Sequence, residues 1–305
     1  MRVLLTGGSS FTGCWFAREL AAAGHHVTAT LRRSQYDGVR AERVAALRDA
    51  CETVEGLAFG DDRFVGLVRA GGWDLLCVHG AQVAGYRDPG FDVAAALAAN
   101  TRRAAEVVSH VPRVLVTGSV FEPGAGRSDD GALPAFSPYG LSKAFTSEVS
   151  RYLCGRHCVT FGRFVVPNPF GPMEEPRFTS ALARAWRAGD TPQVRTPEYV
   201  RDNIHVSLLA RAYVRFAEEL RADGAAVEIG PSGYREPQGA FARRFAREIG
   251  ARLGIATPIE LLPQEEWSEP AVRVNTDPVD EAAVGWDEPA AWDVLARWYA
   301  DAFPG

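Results

Sequence analysis

The sequence predicts an α/β fold built on a doubly wound parallel sheet, with a smaller C-terminal α/β region beside it. Three observations predict it. Short apolar runs alternate with helix-period stretches through the first half of the chain, the order that gives a parallel sheet with right-handed crossovers. The first run, Val3-Leu4-Leu5, passes through Thr6-Gly7-Gly8 directly into a helical pattern. Gly7, Arg32, Gly80 and Ser119 each follow a predicted strand, so all fall at carboxyl ends, where open α/β sheets bind ligands.

The elements follow in order. An apolar triplet such as Val3-Leu4-Leu5 suits a strand buried on both faces. Phe11, Trp15, Phe16 and Leu20 then keep to one side of a helix that Gly24 can end. Strand, glycine turn and helix together point free backbone N–H groups and the positive end of a helix dipole at an anion, and a dinucleotide pyrophosphate fits there. The spacing Gly7-x-x-Ser10-x-x-Gly13 is a three-glycine fingerprint with Ser10 in the middle place, although an ordinary βα turn reads much the same. His26–Leu31 is the second strand. A carboxylate near its end would bind a ribose 2′-OH, but Leu31, Arg32 and Arg33 stand there. Two guanidiniums suit a 2′-phosphate, so NADP(H) is favoured over NAD(H); solvated surface arginines are the plain alternative. Residues 41–50 form a helix, 54–59 a third strand with Asp61 after it, and 64–70 a further helix. Residues 74–79 form a fourth strand running into Gly80-Ala81, and His79 reads as a strand-end histidine satisfied by backbone bonds. Residues 91–110 are one long Ala-rich helix. Residues 113–116 are the fifth strand, ending in Thr117-Gly118-Ser119.

Composition narrows the class. At 305 residues, 47% hydrophobic and 23% charged, the chain can bury a sizeable core as one large domain or two small ones. A net charge of −5 with acids and bases interspersed argues against a nucleic-acid surface. Five scattered cysteines fit a reduced, cytoplasmic protein. No apolar run approaches the roughly 20 residues of a membrane span, and no charged leader precedes the first strand. Cys154, His157 and Cys158 are too close together, and lack a distant fourth ligand, for a standard zinc site, so no metal is expected.

Ser137-Pro138-Tyr139-Gly140-Leu141-Ser142-Lys143 opens a helix running to about Arg156, with Pro138 in its first turn. Tyr139 and Lys143 are four apart and share one face. A phenol ionises near pH 10, and a neighbouring ammonium favours the phenolate, so the pair makes an acid–base device, with Ser119 placed to hold the same substrate oxygen. Tyr-x-x-x-Lys alone means little. Its weight comes from following the fifth strand of a sheet whose first turn already reads as dinucleotide-binding.

Thr6–Gly13, Asp61, Asn100 in the long helix, and Ser119 with Tyr139 and Lys143 resemble the extended short-chain dehydrogenase/reductase family, in its NAD-dependent epimerase/dehydratase group. The resemblance implies a Rossmann-type sheet whose cofactor lies against Gly7, Ser10, Phe11, Gly13, Arg32, Arg33, Asp61, Gly80, Ala81 and Asn100. It implies that Lys143 and Tyr139 border the nicotinamide ribose and that Asp61 contacts adenine. It also implies a homodimer through a four-helix bundle of the helices at 91–110 and 138–156. The departure from the family pattern is Ser10.

Past the sixth strand at 160–166, Pro167-Asn168-Pro169-Phe170-Gly171-Pro172 and Arg201-Asp202-Asn203-Ile204-His205-Val206 resemble the segments that flank the sugar nucleotide in this group. By that resemblance Asn168 meets the diphosphate region and Arg201 pairs with a phosphate, the alternative being an Arg201–Asp202 ion pair. The expected division is 1–166 for the dinucleotide domain, with returns near 193–230, and 167–305 mainly for substrate. The expected activity is NADP(H)-dependent reduction of a nucleotide-bound 4-keto-6-deoxyhexose. A 4-epimerase holding NAD is the first alternative, and a non-sugar carbonyl reductase or a catalytically silent cofactor-binding protein stands behind it. A 4,6-dehydratase would need an Asp-Glu pair after Ser119, where Val120-Phe121 stand.

Overall fold

In the computed structural model, which describes residues 1–86, 88–128 and 131–303, the first layer runs β1 (Arg2–Thr6), α1 (Phe11–Ala22), β2 (His26–Leu31), α2 (Gly38–Ala50), β3 (Glu52–Glu55), α3 (Asp62–Ala70), β4 (Leu75–Val78), α4 (Val93–Asn100), α5 (Ala104–Val108), β5 (Arg113–Ser119), α6 (Pro138–Arg156) and β6 (Thr160–Val166). The chain continues through β7 (Asn168–Phe170), α7 (Phe178–Arg187), β8 (Gln193–Val194), β9 (Val200–His205), α8 (Val206–Glu219) and β10 (Ala226–Ile229). It closes with β11 (Pro231–Ser232), β12 (Tyr234–Pro237), α9 (Gln238–Leu253), β13 (Glu260–Leu261), β14 (Val272–Arg273), β15 (Asp277–Pro278) and α10 (Glu288–Ala302).

Seven strands form one parallel sheet in the order β10-β6-β5-β4-β1-β2-β3. This is the doubly wound Rossmann arrangement that the alternation of runs predicts. Strand alternation explains why β1 has no polar face: Val3 and Leu5 enter the core under α1, α2 and α8, while Leu4 enters the opposite core with Phe64, Val65 and Val107. The strand order reverses between β1 and β4, so the glycine turn after β1 and Gly80 after β4 flank the switch point.

The chain leaves this layer after β6 and returns to it. Helix α8 packs on α1, stacking Tyr213 on Phe16 with ring centroids 4.0 Å apart, and β10 completes the sheet beside β6. The remainder builds a second layer in which β9 sits between β12 and β14 and also pairs with β7. Its core is aromatic: Phe170, Trp186, Phe241, Phe245, Trp292 and Tyr299.

The long helix expected over 91–110 is two helices. Arg103 takes a left-handed φ of 51° between α4 and α5. Gly60 lies against this break: a Cβ there would sit 1.9 Å from the Arg102 carbonyl oxygen, so only glycine lets the α3 entry loop approach it. The third strand also falls earlier than expected, at Glu52–Glu55.

Candidate active site

The glycine turn is built by contact. Gly7 has a φ of 76°, and a Cβ there would sit 2.7 Å from the Cα of Gly80. A Cβ on Gly13 would sit 2.4 Å from the Gly7 carbonyl oxygen and 2.7 Å from both Ser10 Oγ and His79 Cδ2. These cradles leave the first turn of α1 open, and its leading N–H groups have no carbonyl ahead of them. Free donors, the dipole end and the absence of side chains suit a dinucleotide pyrophosphate.

Ser10 is the N-cap of α1. Its Oγ accepts from the Gly13 N–H at 3.2 Å and donates to the Gly7 carbonyl at 2.9 Å. With that proton used, His79 Nε2 is the donor to Ser10 Oγ (2.9 Å), and its Nδ1 accepts from Thr117 Oγ1 (3.0 Å). Burial, with Lys143 adding to it, pushes His79 down to about 3 and keeps it neutral. His79 is thus satisfied by side chains rather than by the backbone bonds expected of it. It ties the glycine turn to the end of β5.

Arg32 and Arg33 are exposed at the end of β2. Arg32 reaches Gln82 Oε1 at 3.1 Å, whereas Arg33 uses its backbone N–H, donating to the Tyr36 hydroxyl. Asn100, nearly buried, accepts from the Gln82 N–H (2.9 Å) and donates to Thr146 on α6 (3.3 Å), fixing the segment after Gly80-Ala81. Asp61 caps α3: its carboxylate accepts from the N–H groups of Phe64 (2.7 Å) and Ala58 (2.8 Å). Phe11 lies in the first turn of α1, with its ring 6.0 Å from the Arg43 guanidinium.

Helix α6 begins where it was expected. Ser137 Oγ accepts from the Gly140 N–H, and Pro138 occupies the first turn. Gly140 is required by crowding, since a Cβ there would fall 2.0 Å from the Phe121 carbonyl oxygen. Lys143 is buried and donates to the Thr117 carbonyl at 2.5 Å. Tyr139 stands edge-on to Tyr86 and Phe91, at 5.6 and 6.1 Å between ring centroids. The expected lowering of the phenol by Lys143 is not what this arrangement gives. Burial pushes Tyr139 up to about 12, with Glu122 adding and Arg177 opposing, while the ammonium is turned onto the β5 backbone. Ser119 ends β5, part-exposed, and its Oγ accepts from the Phe121 N–H at 3.3 Å.

Two substrate-half residues take distinct positions. Asn168 is half-buried on β7, opposite Asn203 of β9. Arg201 does form an ion pair, but with Glu269 (2.8 Å), and it also donates to the carbonyls of Val200, Pro270 and Ala271. Asp202 faces the other way and accepts from the N–H groups of Gly233 and Asn275. Arg273, opposite Arg201 in the strand register, shares Glu269 at 3.3 Å and lies 4.1 Å from the Phe136 ring centroid. Two guanidiniums therefore share one carboxylate.

Three residues escaped the sequence reading. Arg43, fully buried on α2, donates to the Ser9 and Met173 carbonyls and pairs with Glu175 at 2.7 Å. Glu122, fully buried, accepts from the Ser119 N–H. Thr117 offers β5 a second hydroxyl beside Ser119. A further signal was available in composition: Lys143 is the only lysine in the chain. Among the described residues no cluster of His, Cys, Asp and Glu could hold a metal ion, and no helix is long and apolar enough to cross a membrane.

Comparisons with known proteins place the fold in a family. The family model described as the NAD dependent epimerase/dehydratase family matches residues 3–230. Similar solved structures include a UDP-glucose 4-epimerase from Thermotoga maritima with UDP-glucose, at a TM-score of 0.74 and 16% identity over 99% of each chain. A mutant UDP-glucuronic acid 4-epimerase from Bacillus cereus, with a fluorinated UDP-sugar and NAD, gives 0.74 and 14% over 99% of each chain. The UDP-glucose 4-epimerase of Thermus thermophilus with NAD gives 0.71 and 17% over 98% of this chain and 99% of that one. No protein with a curated description matches by sequence. The chain belongs to the NAD dependent epimerase/dehydratase family, and it is an NAD(P)-dependent enzyme of the extended short-chain dehydrogenase/reductase type.

Proposed function

We propose that the protein is an NADP(H)-dependent oxidoreductase of nucleotide-activated sugars, and specifically a reductase of a 4-keto-6-deoxyhexose. The observation that carries the cofactor half is the end of β2, which presents Arg32 and Arg33 to solvent where a carboxylate would be needed to hold a 2′-OH. When bound, the nicotinamide ring supplies the hydride. The rest falls to the chain. Tyr139, which burial holds protonated, gives its proton to the carbonyl oxygen. Ser119 orients that oxygen. Lys143, anchored on the Thr117 carbonyl, holds the nicotinamide ribose and returns positive charge toward Tyr139 as the phenolate forms. Asn168 and the Arg201–Arg273 pair receive the substrate diphosphate, for which planar guanidiniums are suited.

A homodimer fits the same reading. Helix α6 leaves Phe145 and Tyr152 exposed, and its neighbour α4 exposes Ala94, Ala95, Ala98 and Ala99, a surface that a second copy would cover. The five cysteines are all unpaired, which supports a cytoplasmic location.

The second reading is a 4-epimerase with resident NAD, favoured by the three similar structures named above, which are 4-epimerases with NAD or UDP-sugars. Cofactor identity separates the two. The purified protein is denatured and searched for released nicotinamide nucleotide, and NADPH and NADH are titrated into wild type and Arg32→Ala. The reductase requires exchangeable binding that prefers NADPH, weakened about tenfold or more by Arg32→Ala, as loss of a hydrogen bond to a charged group implies. Stoichiometric NAD that survives purification would instead establish the epimerase reading.

A further inference from the structure

Glu122 lies in the turn that leaves β5, three residues past Ser119, and has no exposed surface. Its Oε1 accepts from the Ser119 N–H at 2.7 Å. Its Oε2 accepts from Arg163 Nη2 on β6 at 2.7 Å and from Ser147 Oγ on α6 at 3.4 Å. One carboxylate therefore joins β5, β6 and α6 at the point where the catalytic residues emerge. Burying it costs several kcal/mol unless its surroundings return that energy, and a surface pair between Glu122 and Arg163 would have avoided the cost.

The charges around it suggest what is returned. Ser147, which this carboxylate touches, lies one helical turn past the buried Lys143 on the same face of α6, and the part-buried Arg163 pairs with the carboxylate directly. Arg163 has a second partner, Glu228 on β10, at 2.7 Å. Lys143 makes no ion pair within 4 Å among the described residues and touches the neutral Thr117 carbonyl. The groups that act on Lys143, or that it acts on, are Glu122 from the turn after β5, Arg163 from β6, and the neutral His79 just past β4. Only Glu122 among these is negative. Burial and Arg163 both work against the ammonium, and Glu122 works for it.

We propose that Glu122 is a positioning residue of the active site, seating the Ser119 end of β5 and supplying the buried counter-charge for Lys143. This rests on the Ser119–Tyr139–Lys143 reading given above. It assigns Glu122 an indirect role, because it acts through Ser119 and Lys143 and does not touch the reacting atoms.

The single lysine makes the test direct. Full-length protein labelled with ¹³C-lysine gives one lysine side-chain signal, and its Cε shift followed against pH reports Lys143 alone, without cofactor or substrate. Glu122→Gln keeps the shape and removes the charge. Its Lys143 midpoint should fall by at least one pH unit, a tenfold loss of proton affinity. Arg163→Met removes the opposing cation and should move the midpoint upward. A carboxylate serving only as a structural partner of Arg163 gives shifts of the same direction in both variants, or none, and either result overturns the proposal. If Glu122→Gln does not fold, Glu122→Asp decides: drawing the carboxylate back by one methylene should lower the Lys143 midpoint, and an unchanged or raised midpoint refutes the role. Turnover of Tyr139→Phe is measured alongside. Wild-type turnover there defeats the catalytic reading, a failure separate from an unmoved Lys143 midpoint.

Discussion

Gly13→Ala tests whether the first turn of α1 is a cofactor cradle. The added methyl would lie 2.4 Å from the Gly7 carbonyl oxygen, and 2.7 Å from Ser10 Oγ and from His79 Cδ2. Ordinary contact needs 3.4 Å or more, so the turn must open by about 1 Å against the Gly7 carbonyl and about 0.7 Å against the other two. Two of these are backbone or a ring held by hydrogen bonds at both nitrogens. Overpacking of this kind costs roughly 1–3 kcal/mol. If this turn holds the pyrophosphate, as proposed, much of the cost should appear in dinucleotide affinity, about 5- to 150-fold at 1.4 kcal/mol per decade. Titration of nucleotide fluorescence or intrinsic tryptophan emission measures it. Gly66→Ala on α3 is the matched control. A methyl there meets nothing within 4 Å, so it should raise stability by about 0.5–1 kcal/mol and leave binding unchanged. If Gly13→Ala binds the dinucleotide within twofold of wild type while remaining folded, the cradle argument fails.

Other consequences can be checked with small sets of variants. Ser119→Ala should lower kcat by about 10²-fold or more with KM little changed, the loss of one positioned hydrogen bond at the reacting oxygen. Thr117→Val, whose hydroxyl already serves His79, should cost less, and a large loss confined to Thr117→Val would move the role two residues back along β5. Glu174, buried against Thr179 and Tyr299, is pushed by burial up to about 7 from 4.5. A carboxyl whose folded value is raised contributes its stability below its unfolded value and loses it as pH rises to the folded value. Glu174→Gln should therefore match wild type near pH 4.5 and exceed it by about 3 kcal/mol above pH 7, read from denaturant midpoints across that window; a difference independent of pH would refute the assignment.

The sequence carried those parts of the fold whose causes are local. β1, the glycine turn and α6 are each specified within a dozen residues by apolar runs, caps and periodicity, and they appear where expected. The break between α4 and α5 was illegible because no glycine or proline marks it: it turns on a left-handed Arg103, packed beside Gly60 about forty residues away. The paired arginines of the substrate layer were half legible. Arg201 stood out by resemblance, but its partner Glu269 and its neighbour Arg273 are brought in by a two-residue strand with no periodicity to read. Glu122 and Arg43 were missed for a related reason. A charged residue in sequence reads as solvated until its burial is known, and both lie buried against segments distant in the chain.

The stretch from Pro172 to Glu175 has a bearing on how the molecule comes apart. Pro172 takes the Trp15 indole N–H on α1, Met173 and Glu175 take Arg43 on α2, and Glu174 takes Thr179 and Tyr299 of the second layer. Four consecutive residues thus stitch two packing units, the α1–α2 side of the sheet and the aromatic second layer, and neither can leave without breaking its bonds to the other. Melting should then be one cooperative event in which the sheet layer and the second layer are lost together, and a ligand gripped by either layer should raise the melting temperature of both.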